Sequence, residues 1–202
     1  MYNPPAFREA RTEVLHGAIR EAGLAILVTT GPDGLMASHI PFLLDPSAGE
    51  FGTLFGHVAR GNPQARALGQ ALVIFPGPDS YITPSWYPSK QVDGKVVPTW
   101  NYVAVHATGM LETFDDPARL LDIVTRLTER FEAGREKPWA VSDAPADYVA
   151  GMLKGITGLA LPIAKLEGKW KMSQNRAPGD RAGVVAGLAA DGRDDIAALI
   201  PR

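Results

Sequence analysis

The sequence predicts a β-barrel-centred α+β domain. Short runs of β-forming residues recur along the chain at regular spacing, and the first five have no helix-length connection between them. Helical patterns are pushed to the flanks of these runs. A parallel α/β sheet needs a crossover of a dozen or more residues between strands, so the spacing speaks against it.

Residues 5–22 read as a helix, because Val14, Leu15, Ala18, Ile19 and Ala22 form one apolar stripe and Gly23 is a natural stop. Residues 24–30 are rich in β-formers. They run into Gly31-Pro32-Asp33-Gly34, where proline sets φ and glycine tolerates positive φ. Residues 35–44 resume as a strand, so 24–44 is expected to be a hairpin. Further strands are expected at 52–58, 71–75, 80–84, 100–114 and 156–166, with 169–173 after them. Asp116 can cap a helix with Pro117 at its first position and Leu120, Val124, Leu127 and Phe131 on one face. A second helix follows Pro145, with Tyr148, Val149, Met152 and Leu153 apolar and Gly155 at its end. The segment 178–202 is an Ala/Gly-rich tail with a short apolar helix at 181–190, where Gly183 and Gly187 suit ordinary close packing. The chain reads as a single domain, 1–202, with 1–23 as its N-terminal helix.

With 202 residues and 46% hydrophobic content, the chain can bury one sizeable core. A net charge of −2 gives no global field that would gather nucleic acid or an anionic membrane. The absence of cysteine excludes disulfides, thiolate metal sites, iron–sulfur clusters and thiol nucleophiles. The start Met1-Tyr2-Asn3-Pro4-Pro5 lacks the basic and apolar regions of a leader, and the longest apolar runs are strand-sized. A soluble, cytoplasmic protein without membrane association is expected.

Two short segments carry the chemistry: Ser80-Tyr-Ile-Thr-Pro-Ser-Trp-Tyr-Pro-Ser89 and Val97-Pro-Thr-Trp-Asn-Tyr102. Each aromatic sits beside small polar donors and φ-restricting prolines, a composition that suits a flat, rigid wall for a planar ligand. The same residues would equally plug the mouth of a barrel. In His57-Val-Ala-Arg-Gly-Asn-Pro-Gln64, an arginine meets backbone amides at a strand-to-helix turn, an arrangement that holds phosphate. The plainer reading leaves Arg60 solvated and Asn62 a helix cap. In the stretch 165–176, Lys165, Lys169, Lys171 and Arg176 stand against Glu167. A strand there would put Lys169 and Lys171 on one face, as an anion contact or as a lysine-blunted sheet edge. His16, His39, His57 and His106 show no metal spacing, and no metal site is expected. No P-loop, dinucleotide fingerprint, serine elbow or carboxylate pair is present, so nothing demands covalent catalysis.

Laid in order, these pieces resemble the PaiB family of FMN-binding negative transcriptional regulators. The resemblance rests on Met1-Tyr-x-x-Pro, Gly56-His-Val-Ala-Arg-Gly-Asn-Pro63, Tyr81-Ile-Thr-Pro-Ser-Trp-Tyr-Pro88, Val97-Pro-Thr-Trp-Asn-Tyr102, Pro138-Trp-Ala-Val-Ser-Asp143 and Gly168-Lys-Trp-Lys-Met-Ser-Gln-Asn175. It covers nearly the whole chain, least so after Arg181. It implies an antiparallel split β-barrel with flanking helices, related to pyridoxamine-phosphate oxidase, and a homodimer with FMN at the subunit interface. Carried over, the FMN phosphate lies near His57, Ala59, Arg60 and Asn62. Ring and ribityl contacts come from Ser38, His39 and Pro41, from Ser85 and Trp86, and from Thr99, Trp100 and Asn101. Lys169, Lys171, Ser173, Gln174 and Asn175 reach across from the other subunit or close the site. Trp100 is expected to be buried there.

The family name implies a repressor, yet the slightly acidic chain has no convincing helix-turn-helix and little charge with which to hold DNA. The alternative is an FMN-dependent oxidoreductase, in which bound flavin supplies the chemistry. A flavin carrier or sensor without turnover is a third reading.

Overall fold

The computed structural model describes residues 1–201. Its elements run β1 (Arg8–Glu9), α1 (Thr12–Glu21), β2 (Ala25–Gly31), β3 (Gly34–Ile40), β4 (Leu43–Asp45), β5 (Thr53–Ala59), β6 (Gly69–Ile82), β7 (Thr99–Phe114), α2 (Pro117–Glu132), α3 (Ala146–Leu153), β8 (Ile156–Lys171), α4 (Pro178–Ala190) and α5 (Asp194–Ala197). Short 3-10 turns at Pro63–Arg66, Pro84–Trp86 and Pro88–Gln91 each begin on a proline. The strands hydrogen-bond in the order β3-β2-β6-β7-β8-β5-β4, with β1 added to β8. The pairings β1–β8, β2–β3, β2–β6, β4–β5 and β5–β8 are all antiparallel.

The chain groups into two compact units. The first comprises Met1–Leu15, Pro76–Val105 and the stretch from Glu167 onward; the second comprises His16–Phe75 and His106–Leu166.

In the second unit, β2 and β3 form the expected hairpin, closed from Gly31 to Gly34, where φ of +107° demands glycine. Helix α2 starts as its sequence dictates. Asp116 accepts from the Arg119 N–H, Pro117 follows, and Leu120, Ile123 and Leu127 are buried. Ile123 and Leu127 pack with Leu43, Phe55 and Phe114. Arg130, in the last turn of α2, donates to the carbonyls of Phe42 (2.8 Å), Ala22 (2.7 Å) and Arg20. The last two are orphan carbonyls at the end of α1, so one guanidinium caps a neighbouring helix.

The first unit is built on Ile82, Tyr87, Val103, Met172, Val184, Leu188, Ile196 and Ile200. Half of that core comes from the segment expected to be a tail, because α4 begins at Pro178 and turns Val184 and Leu188 inward.

Three other expectations are corrected. The helix expected at 5–22 begins only at Thr12. Arg8 and Glu9 are extended and pair with Lys169 and Gly168, so their backbone groups are committed to a strand. The carboxylate of Glu9 accepts from the Arg11 N–H and guanidinium, which hold it well below the usual range, at about 2. The strands expected separately at 71–75 and 80–84 are one strand, β6, and those at 156–166 and 169–173 join as β8. Finally, β8 is an inner strand, so Lys169 and Lys171 do not blunt a free edge.

Candidate functional site

The residues marked out by the sequence fall into two groups, one in each unit. In the second unit, β5 ends at Ala59 and Asn62 caps the following 3-10 turn, its Oδ1 accepting from the Gln64 N–H at 2.9 Å. Asn62 Nδ2 donates to Ser38 Oγ at 3.0 Å, which ties this turn to β3. His39 and Ala59 are exposed, and Pro41 is half-buried. Arg60 is committed within its own unit. Nε donates to Lys154 O at 2.8 Å, Nη2 to Ile156 O at 3.1 Å, and Nη1 to Asp115 Oδ2 at 3.0 Å. That guanidinium, helped by Thr157, lowers the pKa of Asp115. His57 differs, because its Nδ1 is sealed from solvent and has no hydrogen-bond partner. Burial lowers its pKa and favours the neutral ring.

The group in the first unit is denser. Asn101 is fully buried at the start of β7 and faces Ser173 just past β8. Asn101 Nδ2 donates to Ser173 Oγ and Ser173 Oγ returns to Asn101 Oδ1, both at 3.1 Å. Ser173 holds φ of +58°, the one non-glycine residue in that region among those described. A left-handed serine is sparsely populated, and such strain clusters at functional sites. Gln174 fixes the turn, its Oε1 accepting from the Met172 N–H at 2.7 Å and its Nε2 donating to Trp170 O at 2.5 Å.

Lys171 donates to Thr99 Oγ1 and to Trp100 O. Its pKa is lowered by burial first, then by Lys169 and Arg176. Lys169 is only 7% exposed, yet its partners are Tyr2 O at 3.1 Å and the rings of Tyr2 and Tyr102, with Nζ 5.5 and 5.3 Å from their centroids. Arg176 lies over the ring of Tyr87 at 4.7 Å. Thr99, Asn101, Lys171, Ser173, Asn175 and Arg176 line a cleft of about 50 Å³.

Trp100 is 53% exposed rather than buried, and it meets Tyr81 edge to face with centroids 6.0 Å apart. Trp86 is seated against α4. A Cβ on Gly183 would stand 1.9 Å from Trp86 O, and one on Gly187 2.3 Å from the indole. The two glycines are therefore the slot that holds Trp86. Ser85 is exposed; its N–H donates to Thr83 Oγ1, the cap of that turn.

Sequence reasoning left Tyr81, Arg176 and Tyr2 off the site. Their signal was present, because each lies inside one of the segments the sequence singled out.

A model described as "Putative FMN-binding domain" matches residues 1–165. An uncharacterized protein of Emericella nidulans is 38% identical over 96% of this chain and 92% of its own length. The Bacillus subtilis protein named "Protease synthase and sporulation protein PAI 2" is 31% identical over 93% of this chain and 89% of its own. The chain belongs to the PaiB family of FMN-binding domains. Among solved structures, the FAD and heme binding protein of Mycobacterium smegmatis superposes with a TM-score of 0.61 at 19% identity, covering 87% of this chain and 78% of that one. That likeness is one of fold: the PaiB chain has the antiparallel split β-barrel architecture with flanking helices.

FMN is the cofactor that PaiB membership assigns, and the donor set fits it. An exposed indole and phenol offer face and edge to a planar ring, and the amide, hydroxyl and ammonium groups of Asn101, Thr99 and Lys171 are of the kind that suit its carbonyl-rich rim. The fully buried, strained Asn101–Ser173 pair holds those groups before any ligand arrives. The stretch from Lys169 to Arg176 lies beyond the residues the family model matches. No helix among the described residues is long and apolar enough to cross a membrane.

Proposed function

We propose that this chain is a flavin-binding regulator that holds FMN against Trp100 and Tyr81. The observation that carries the reading is the exposed edge-to-face pair of Tyr81 and Trp100, the latter on a strand whose neighbouring residues Thr99 and Asn101 line a polar cleft with Lys171. Large exposed aromatics that do not join a core usually mark recognition surfaces. In this reading Trp86, Ser85, Ser173 and Asn175 complete the wall, and Gln174 keeps the turn in place. In the second unit, the unpartnered His57 Nδ1 and the Ser38–Asn62 pair are the flavin-contact candidates, with His39, Pro41 and Ala59 around them; Arg60 acts there as a brace.

The working unit is proposed to be a homodimer in the cytoplasm. The regulatory part of the reading draws on the resemblance to the PaiB family of negative transcriptional regulators. With a net charge of −2, regulation is proposed to run through a partner rather than through a broad electrostatic grip on DNA.

Bound flavin supplies hydride and electron transfer of itself. The test is the visible spectrum of the purified protein, with mass spectrometry of what heat denaturation releases. FMN at about one per chain is expected of a single preformed site per protomer. A colourless protein that takes up no added FMN returns the aromatic segments to a packing role. Steady oxidation of reduced nicotinamide by the loaded protein would replace the regulator by an FMN-dependent oxidoreductase.

A further inference from the structure

The first unit gathers positive charge around a cleft that no carboxylate lines. Lys169, Lys171 and Arg176 lie within a few residues of one another. Of the acids nearby, one is ion-paired elsewhere and one is held by neutral donors outside the cleft. Glu167 pairs with the terminal ammonium of Met1 at 3.0 Å. Asp180 accepts from Ser89 N–H at 3.1 Å and from Ser89 Oγ at 2.8 Å. Lys169 has spent its buried ammonium on one carbonyl and two aromatic faces. Two of the three donors of Lys171 are taken by Thr99 and Trp100, which leaves one for a ligand. The guanidinium of Arg176 stacks on Tyr87, a contact that uses its face and leaves its edge of N–H donors.

A buried or half-buried cation without a counter-ion is costly, and three together cost more than one. Chains keep such clusters where an anion from outside completes them. The cleft has the volume of a single small group, about 50 Å³, and its remaining walls are the hydroxyl of Thr99, the amides of Asn101 and Asn175 and the hydroxyl of Ser173. Thr99, Asn101 and Asn175 keep N–H or O–H donors suited to oxygen atoms, while the Ser173 proton is spent on Asn101 Oδ1.

We infer that the cleft walled by Lys171, Arg176, Thr99, Asn101, Ser173 and Asn175 is an oxyanion subsite, sized for one phosphate or carboxylate group. It rests on the flavin reading only for the source of the anion. That source is either the phosphate of FMN or the anionic group of a second ligand laid beside the ring. The lowered pKa of Lys171 is consistent, since an anion in the cleft would lift it again.

The experiment titrates the flavin-free protein with FMN, riboflavin and inorganic phosphate, for wild type, Lys171→Gln and Arg176→Gln. Lys171→Gln also loses the contacts to Thr99 and Trp100 O, so a melting curve must accompany it. Arg176→Gln disturbs only the contact with Tyr87 and remains informative if the other variant unfolds.

If the cleft takes the cofactor phosphate, wild type prefers FMN to riboflavin and the variants lose about ten- to a hundredfold of that preference, the size of one charge-assisted hydrogen bond. If it takes a second ligand, the FMN preference survives in the variants. Phosphate then binds the FMN-loaded wild type and fails to bind the loaded variants. Identical responses of all three proteins to all three probes overturn the inference. A wild type that binds phosphate through Lys171 and Arg176 but binds neither flavin keeps the oxyanion subsite and removes the flavin reading, so the two fail separately.

Discussion

At the residue scale, Trp100 is exposed where the sequence expected it buried, and Arg60, expected at a phosphate, is hydrogen-bonded within its own unit. Both were marked by motif alone, and motif does not say where a long side chain ends. Arg60 braces Lys154 O, Ile156 O and Asp115, so Arg60→Ala is expected to lower stability by about 1–2 kcal/mol, below the ~1.5–3 kcal/mol of hydrogen bonds to a charged donor because water can reach the freed carbonyls. Urea midpoints with an unchanged slope would measure it, and an unaltered midpoint would mean the brace carries nothing. Trp100→Ala, by contrast, should cost well under the ~3–5 kcal/mol of a buried tryptophan, because half of the ring is already in water. Its loss should appear in FMN affinity. A large melting shift with unchanged flavin content would reverse that assignment.

Glu9 and His57 supply a pH dependence whose sign can be worked out. The carboxyl of Glu9 falls from 4.5 to about 2 on folding, so its contribution is complete above about pH 4.5 and lost as pH falls toward 2. His57 is shifted down by burial, so the unfolded chain binds the proton more tightly and stability rises with pH through the ordinary histidine range. His57→Asn should flatten that rise. An equal slope in variant and wild type would show that the imidazole is solvated in the folded chain.

At the scale of elements, those with punctuation at both ends were legible. The β2–β3 hairpin carries Gly-Pro-Asp-Gly, and α2 carries Asp-Pro at its start, although its buried face is Leu120, Ile123 and Leu127, while Phe131, expected there, is exposed. What misled was interior punctuation. Pro76 and Pro78 suggest a break inside β6, and Gly168 suggests one inside β8, yet both strands run through. Proline lacks a donor but still accepts, and the bare Cα at 168 makes room for the Leu15 side chain, which a Cβ there would meet at 2.1 Å. The site was legible as strings of residues but not as partners, since Asn101 and Ser173 are 72 residues apart and only the sheet brings them together.

Helix α4 was legible as a short apolar helix at 181–190, three residues short of its start at Pro178, but its place in a core was not. Alanine and glycine blur an amphipathic pattern, and the glycines are there for Trp86. Gly187→Ala should therefore destabilise by about 1–2 kcal/mol despite its better helix propensity, because overpacking outweighs the propensity gain. It should also shift the near-ultraviolet circular dichroism of the tryptophans. Gly151→Ala in α3 meets open space and is the opposite case, expected to gain about 0.5–1 kcal/mol. If both substitutions move the melting point in the same direction, the slot is not what holds those glycines.

At the scale of the whole molecule, the first unit is assembled from three separated stretches of chain, while the family model stops at residue 165. A chain ended at Ala177 would lack Val184, Leu188, Ile196 and Ile200, four of the eight residues of that core. We expect it to bind an apolar dye and to be cut by protease between residues 76 and 105. A truncated chain as protease-resistant as the full one would make the last two helices an ornament.

The same arrangement has a consequence for how the protein is made. Residues 76–105 leave the ribosome long before the helices that cover them, and about 70 residues follow before α4 is available. During that interval Ile82, Tyr87 and Val103 have no core to join. The late pairing of distant segments is slow, and apolar surface is open to other chains until it is complete. Synthesis therefore has a vulnerable window that closes only with the last helices, and the yield of this flavoprotein in a cell should depend on chaperone supply and growth temperature more than its finished stability would suggest.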